Sequence, residues 1–148
     1  AITCFFTSIN YLTSDDDILR TFRGVFQSLR KGGIFVFDAP NPYKMERWLK
    51  GIPTIWRVDS DDLNILILDA VFMDSVSAIV NWKRTLIVKS GDRLELVPDY
   101  HMLRAYTANE FKTYAKWVGF RKTRVYGDLI ITDEEPRDAD RLFLIMVK

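Results

Sequence analysis

Apolar positions recur along this chain in two different rhythms. In the first third, Ile18, Phe22, Val25, Phe26 and Leu29 recur at helical spacing behind Ser14-Asp15-Asp16-Asp17. A capping serine followed by acids that suit the positive end of the helix dipole is a strong start signal, so this stretch predicts an amphipathic helix. The pattern closes on Leu29, with Arg30 and Lys31 expected in its last turn and Gly32-Gly33 as the left-handed exit. Ile34–Phe37 then runs apolar without alternation, as a strand buried on both faces of a parallel sheet does. It stops at Asp38 and the Pro-punctuated loop Ala39-Pro40-Asn41-Pro42. Open α/β sheets place ligands at the carboxyl ends of their strands. Upstream, Ala1–Phe6 reads as a strand, and Thr7-Ser8-Ile9-Asn10-Tyr11 as the loop at its carboxyl end. The chain therefore opens inside an element, as if partway through a larger fold. Tyr43–Lys50 fits a short helix with Tyr43, Met45, Trp48 and Leu49 as its apolar residues, stopped by Gly51-Ile52-Pro53.

From Thr54 the rhythm changes. Thr54–Val58, Leu63–Met73, Ala78–Lys89 and Arg93–Arg104 are strand-like runs rich in β-branched and aromatic residues. The turn clusters Asp59-Ser60-Asp61-Asp62, Asp74-Ser75 and Ser90-Gly91-Asp92 separate them, which predicts an antiparallel meander. Helical spacing then returns. Thr107-Ala108-Asn109-Glu110 has the form of a capping box, Phe111, Tyr114, Ala115 and Val118 carry an apolar face, and Gly119 marks the stop. Lys122–Tyr126 reads as a strand, Asp128–Asp140 as a long polar connection with Pro136, and Leu142–Val147 as an apolar strand needing cover on both faces.

Composition narrows the function classes. The 148 residues are 48% hydrophobic and 28% charged, enough for a real core, and the formal charge of +1 argues against a dominant nucleic-acid footprint. A lone Cys4 excludes an internal disulfide and a Cys-based metal cluster, which suits a reducing, cytoplasmic setting. No apolar run is long enough for a bilayer span. The Asp15-Asp16-Asp17 triplet is better explained as a helix start than as a cation site, because no loop of oxygen ligands follows it. Arg121, Lys122 and Arg124 read as a solvated strand edge. No Ser/His/Asp order, His/Cys cluster or phosphate-cradling loop supports hydrolase, zinc or nucleotide chemistry.

Three pieces in this order resemble the carboxyl-terminal half of a class I S-adenosylmethionine-dependent methyltransferase. They are Ala1–Leu12, the segment Leu29–Asp38 containing Lys31-Gly32-Gly33, and Arg104–Phe120 followed by the closing strand Arg141–Val147. The closest look is to small-molecule methyltransferases, including amino-sugar and glycine/sarcosine types, with an antiparallel insertion after the fifth strand. The resemblance implies an α/β fold: half of a Rossmann-like sheet over 1–53 and 105–148, with an antiparallel β-meander inserted at 54–104. It implies that the last strand runs antiparallel between its two predecessors. It further implies S-adenosylmethionine as cofactor and a small-molecule acceptor carrying an amine or hydroxyl; with the low net charge and the lack of a long apolar run, neither nucleic acid nor membrane is expected as partner. The Gly-rich loop after the family's first strand is absent here, so this chain by itself is expected to be inactive.

Methyl transfer asks the protein to align a lone pair with an already activated methyl group, exclude water and accept a proton. Aromatic faces favour a sulfonium neighbour. On the resemblance, Cys4, Phe5 and Phe6 would lie against the cofactor, with Ser8 and Tyr11 on the rim. His101 is the only histidine, in Pro98-Asp99-Tyr100-His101-Met102-Leu103-Arg104, and is the candidate proton acceptor. Strand alternation puts Asp99 and His101 on one face and Tyr100, Met102 and Arg104 on the other. Tyr100, Asp38, Tyr11 and Trp56 are further candidates for shaping the site. The insertion could cover the acceptor or form a homodimer contact. The competing reading of the whole chain is a noncatalytic β-rich interaction module that pairs with a separate cofactor-binding chain.

Overall fold

A computed structural model describes all residues except 46–49, 52, 61–63, 131, 133–134 and 137. The chain divides into two compact units, residues 1–45 with 104–148, and residues 46–103.

The first unit is a four-stranded sheet under two helices. Its strands are β1 (Ile2–Cys4), β2 (Ile34–Pro40), β7 (Lys122–Gly127) and β8 (Arg141–Val147), in the order β1-β2-β8-β7. β1 runs parallel to β2, and β8 runs antiparallel to both β2 and β7, as expected for the closing strand. The helices are α1 (Asp15–Ser28) and α2 (Ala108–Val118). Ile18 and Phe22 of α1 and Phe111 and Ala115 of α2 are buried with Phe35, Phe37, Leu144 and Met146 of the sheet. Phe22 is the centre of this layer, with the rings of Phe35 and Phe37 at 5.8 Å and those of Phe111 and Phe120 at 6.4 Å.

Both helix starts form as the sequence predicts. The Ser14 hydroxyl accepts from Asp17 N–H at 3.1 Å. Thr107 accepts from Glu110 N–H, and Glu110 accepts from Thr107 N–H at 2.7 Å, completing the capping box. Gly119 closes α2 at φ 109°, a conformation only glycine adopts without strain. The end of α1 differs from expectation. The helix stops at Ser28, so Arg30 and Lys31 lie beyond its last turn. Its final carbonyls are instead met by the ammonium of Lys148, which donates to Leu29 O at 2.6 Å and to Phe26 O.

The burial of the strands also departs from the sequence reading. Phe35, Phe37, Leu142, Leu144 and Met146 are buried beneath the helices, but Ile34, Val36, Phe143 and Ile145, on the opposite face, are only half-buried. The described residues place helices on one face of the sheet, and a run of apolar side chains does not itself reveal which face is covered. The first strand is also shorter than Ala1–Phe6. It ends at Cys4 because Phe6 and Thr7 turn into the left-handed region at φ 59° and 66°, and a short 3-10 turn, Ser8–Tyr11, follows. Of the helix expected at Tyr43–Lys50, positions 46–49 lie outside the described residues; before them is a 3-10 turn, Pro42–Lys44, with Met45 buried.

Arg104 ties the helical layer together. Its guanidinium donates to Asp15 at 2.6 Å and to Glu110 at 3.0 Å, and lies 4.6 Å from the Tyr106 ring centre. Tyr114 donates to the same Asp15 oxygen at 2.6 Å. Those bonds, Tyr114's first, hold Asp15 below the usual carboxylate range, while burial pushes Tyr114 up to about 12.

The second unit is a separate four-stranded sheet, β3 (Thr54–Asp59), β4 (Asn64–Asp74), β5 (Ile79–Ser90) and β6 (Arg93–Arg104), in sequential order. β3 pairs antiparallel with β4, and β4 with β5. Gly91-Asp92 makes the two-residue turn between β5 and β6, with Gly91 at φ 58°. Val71, Met73, Val80 and Leu103 are its buried apolar residues, whereas Ile55, Trp56, Leu94 and Leu96 stand exposed.

Candidate functional site

The carboxyl end of β2 and the start of β8 meet at one end of the first sheet because the two strands are antiparallel, with Asp38 opposite Phe143 and Pro40 opposite Arg141. Alternation along both strands sends Asp38, Arg141 and Phe143 to the face away from the helices. There Arg141 Nε donates to Asp38 Oδ2 at 2.9 Å, and Arg141 Nη2 donates to that same oxygen. Arg141 Nη2 also donates to Thr7 Oγ1 at 2.8 Å. Asp38 is 3% exposed, and its other oxygen, Oδ1, is buried without a hydrogen-bond partner. Such an oxygen is costly to leave empty, so it marks a place where a donor is wanted.

Beside this pair is a cavity of about 520 Å³ lined, among the described residues, by Phe5, Phe6, Asp38, Leu129, Arg141 and Phe143. Phe6 is 91% exposed. Cys4, at the end of β1, is half-buried; burial first, and the Asp38 charge second, push its thiol above the ordinary range. Ser8 is exposed and spends its hydroxyl hydrogen on Phe5 O at 2.7 Å, bracing the turn. Tyr11 is half-exposed on the same turn. Beneath it Asn10 is buried and donates to Arg104 O at 2.7 Å. Of the residues expected in the site, Phe5, Phe6 and Asp38 therefore share one cavity, and Cys4 borders Asp38.

The second unit holds the other candidates. His101 Nε2 lies 2.9 Å from Asp99 Oδ2, and the His101 ring packs 5.2 Å from that of Trp82. On the same face Trp82 Nε1 donates to Asp69 Oδ1 at 2.8 Å, and Arg84 grips Asp69 through Nε at 2.7 Å and Nη2 at 3.0 Å. Asp69 is 5% exposed; the Arg84 bond, outweighing burial, holds its carboxyl below the usual range. Tyr100 points to the opposite face, donates to Asn81 and lines a groove with Ala70, Phe72 and Lys83. His101 and Tyr100 are thus neighbours in sequence separated by the thickness of the sheet. Trp56 is exposed on β3. Among the described residues no three His, Cys, Asp or Glu side chains group as a metal site, and no helix is long and apolar enough to cross a membrane.

Sequence reasoning missed Arg141, Thr7, Leu129 and Phe143 at the first place, and Asp69 with Arg84 at the second. The signal for Arg141 existed. A closing strand placed antiparallel beside β2 brings its first residue level with the last residues of β2.

No family model matches the chain. It is 29% identical over 138 residues to a Bacillus subtilis protein named "Putative methyltransferase YqeM", covering 92% of this chain and 53% of that protein. It thus spans about half the length of the curated relatives it matches. Among solved structures, it superposes on a S-adenosylmethionine-dependent methyltransferase of Clostridium acetobutylicum with a TM-score of 0.75 at 20% identity, over 99% of this chain and 56% of that one. It superposes on CalS10, a SAM-bound amino pentose methyltransferase of Micromonospora echinaspora, with a TM-score of 0.77 at 14% identity, over 98% and 56%. With half a Rossmann-like sheet, a closing antiparallel strand and an inserted meander, the chain has the fold of the carboxyl-terminal half of a class I S-adenosylmethionine-dependent methyltransferase.

Proposed function

We propose that this chain is the acceptor-side half of an enzyme that transfers a methyl group from S-adenosylmethionine to the amine or hydroxyl of a small molecule. The observation that carries the reading is the site at the strand ends. Exposed aromatic rings, Phe5 and Phe6, follow a parallel strand, and a buried carboxylate stands beside them in the fold of a methyltransferase. The residues present fit one flank of the cofactor, since aromatic faces attract a sulfonium. The cofactor supplies the activated methyl group. Phe5 and Phe6, with Cys4, Ser8 and Tyr11 around them, would hold that flank and exclude water. Asp38 would orient the acceptor, and His101, held by Asp99 and Trp82, would accept its proton. Tyr100 and Trp56 would shape the acceptor's surroundings, and the second unit would serve as its cover or as a contact between two copies. A cytoplasmic setting fits one unpaired cysteine.

The test uses methyl-labelled S-adenosylmethionine and a panel of amines and alcohols. This chain alone is expected to transfer nothing, and the chain joined to a cofactor-binding half is expected to methylate a subset of the panel. In the joined form His101→Ala should lower the maximal rate by roughly 10² to 10⁴ and leave cofactor affinity unchanged. If no form transfers methyl while the chain binds another protein stably, the interaction-module reading replaces this one. If His101→Ala keeps the rate across neutral pH, His101 is structural.

A further inference from the structure

We infer that Asn10 and Tyr106 are positioning residues for the cofactor: they hold the loop after β1 in the shape that presents Ser8 and Tyr11, without touching the cofactor themselves. The inference rests on the methyltransferase reading for what the loop binds; the bracing is argued from the bonds around it. The loop leaves β1 through a left-handed Thr7 and one short 3-10 turn, Ser8–Tyr11. Such a turn has poor hydrogen-bond geometry and little strength of its own, so its shape depends on what holds it from outside.

Three bonds reach this loop from residues far along the chain. At its start, Arg141 Nη2 donates to Thr7 Oγ1 at 2.8 Å. In its middle, Asn10 Nδ2 donates to the carbonyl of Arg104 at 2.7 Å. At its end, the Tyr106 hydroxyl donates to the carbonyl of Leu12. Ile9 and Asn10 are buried between these points, while Ser8 and Tyr11 turn outward. The bonds therefore bracket the two residues that the methyltransferase reading sets on the rim of the cofactor.

The bracing groups are themselves fixed. Arg104 and Tyr106 flank Ala105 in the short link between β6 and the α2 cap, Thr107. The Arg104 guanidinium is bound by Asp15 and Glu110 and lies over the Tyr106 ring, which packs 5.0 Å from Phe111. Tyr106 is fully buried, and burial pushes its hydroxyl above the ordinary range, so it remains a donor. Asn10 carries a cost that folding alone does not require. Its Oδ1 is buried without a hydrogen-bond partner, a penalty that an apolar side chain at the same position would avoid. A buried amide kept with one atom unsatisfied is explained by its other atom, which fixes the backbone beside Tyr11. A loop already in its bound shape spares the ligand the cost of ordering it.

The test compares Tyr106→Phe, which keeps the ring and removes only the hydroxyl, with Asn10→Ala; Tyr106→Phe suffices if Asn10→Ala fails to fold. In this chain alone, both should speed amide exchange at residues 8–12 while β2 and α2 keep the parent's protection. In the chain joined to a cofactor-binding half, each should weaken S-adenosylmethionine binding by about threefold to tenfold, as the ordering of the loop passes to the ligand. With an acceptor that the joined parent methylates, KM for the cofactor should rise likewise and kcat stay unchanged, because binding and not chemistry is lost. Gly119→Ala is the control for lost stability: it strains the far end of α2, so it should lower the unfolding temperature and leave cofactor affinity unchanged. A joined parent that binds no S-adenosylmethionine overturns the methyltransferase reading, and this role with it. If the parent binds, the inference alone is overturned by any of three results: a folded variant that binds as tightly as the parent, Gly119→Ala weakening binding as much, or kcat falling at constant KM.

Discussion

Replacing Asp69 by Asn probes the polar spine of the second unit, against which His101 is held. Asp69 is 5% exposed and receives Arg84 Nε, Arg84 Nη2 and Trp82 Nε1 at 2.7, 3.0 and 2.8 Å. Asparagine keeps an oxygen for Trp82 and Arg84 Nε but presents an NH₂ to Arg84 Nη2. One charged hydrogen bond is lost and two donors face each other, which should cost about 2 kcal/mol. The 3–5 kcal/mol typical of breaking a fully buried ion pair is too much here, because the Arg84 side chain is 28% exposed and can turn to water. In a unit of this size about 2 kcal/mol corresponds to a midpoint drop of roughly 8 to 16 °C. The pH dependence has a definite sign. The folded carboxyl titrates below its unfolded value, so its contribution is complete above the unfolded value of about 3.9 and is lost as pH falls through the folded one. The margin of the parent over Asp69→Asn should therefore be full at neutral pH and shrink below about pH 4. The assay is urea unfolding followed by the Trp82 indole N–H, with Arg84→Gln and the double variant closing a thermodynamic cycle. A midpoint unmoved by Asp69→Asn, or a coupling energy near zero, would refute the claim that this pair organises the sheet.

Other expectations concern the first unit. Phe22→Ala removes the ring at the centre of the aromatic layer and should destabilise by about 4 kcal/mol, read as a drop in denaturation midpoint; less than about 2 would mean the layer collapses to fill the space. Thr107→Ala breaks the capping box and should cost about 1 kcal/mol, with faster amide exchange confined to the first turn of α2. Gly119→Ala should destabilise by about 1 kcal/mol, since φ 109° is strained for alanine and the added methyl meets Phe26 at 3.4 Å; a neutral result in thermal unfolding would contradict the assigned helix end. Arg141→Met should loosen the loops at both Thr7 and Asp128, visible as increased amide exchange at residues more than a hundred positions apart in sequence.

Much of the architecture was legible because it rests on local chemistry. Ser14 and the Thr107–Glu110 box announced their helices, Gly91-Asp92 announced its hairpin, and alternation put Asp99 beside His101 and sent Tyr100 the other way. What was hidden depended on distant partners. Ile34–Phe37 reads as buried on both faces because nothing in its own residues tells which side the helices will cover. The end of α1 looked as though Arg30 and Lys31 would complete it, but Lys148, more than a hundred residues later, does so. Phe6 carries an aromatic ring suited to a strand, yet its backbone is left-handed, next to a Thr7 whose hydroxyl accepts from Arg141. Asp38 was visible at its strand end. Its spare oxygen was not, because only the register of β2 against β8 brings Arg141 beside Asp38, where it binds one oxygen and leaves the other buried without a partner.

The position of β8 in the middle of the first sheet has a consequence for how the protein is made. Asp38 and Arg141 stand 103 positions apart, so at usual translation rates β2 waits about 5 to 20 seconds on the ribosome before its partner is synthesised. During that interval β2 has only the short β1 beside it, and its other edge is an apolar template for stray pairing. The second unit is nested within the waiting time, and residues 46–103 can complete their own sheet before β8 appears. The nascent chain should then carry one finished sheet and one half-sheet, the second dependent on chaperone shelter until its central strand arrives.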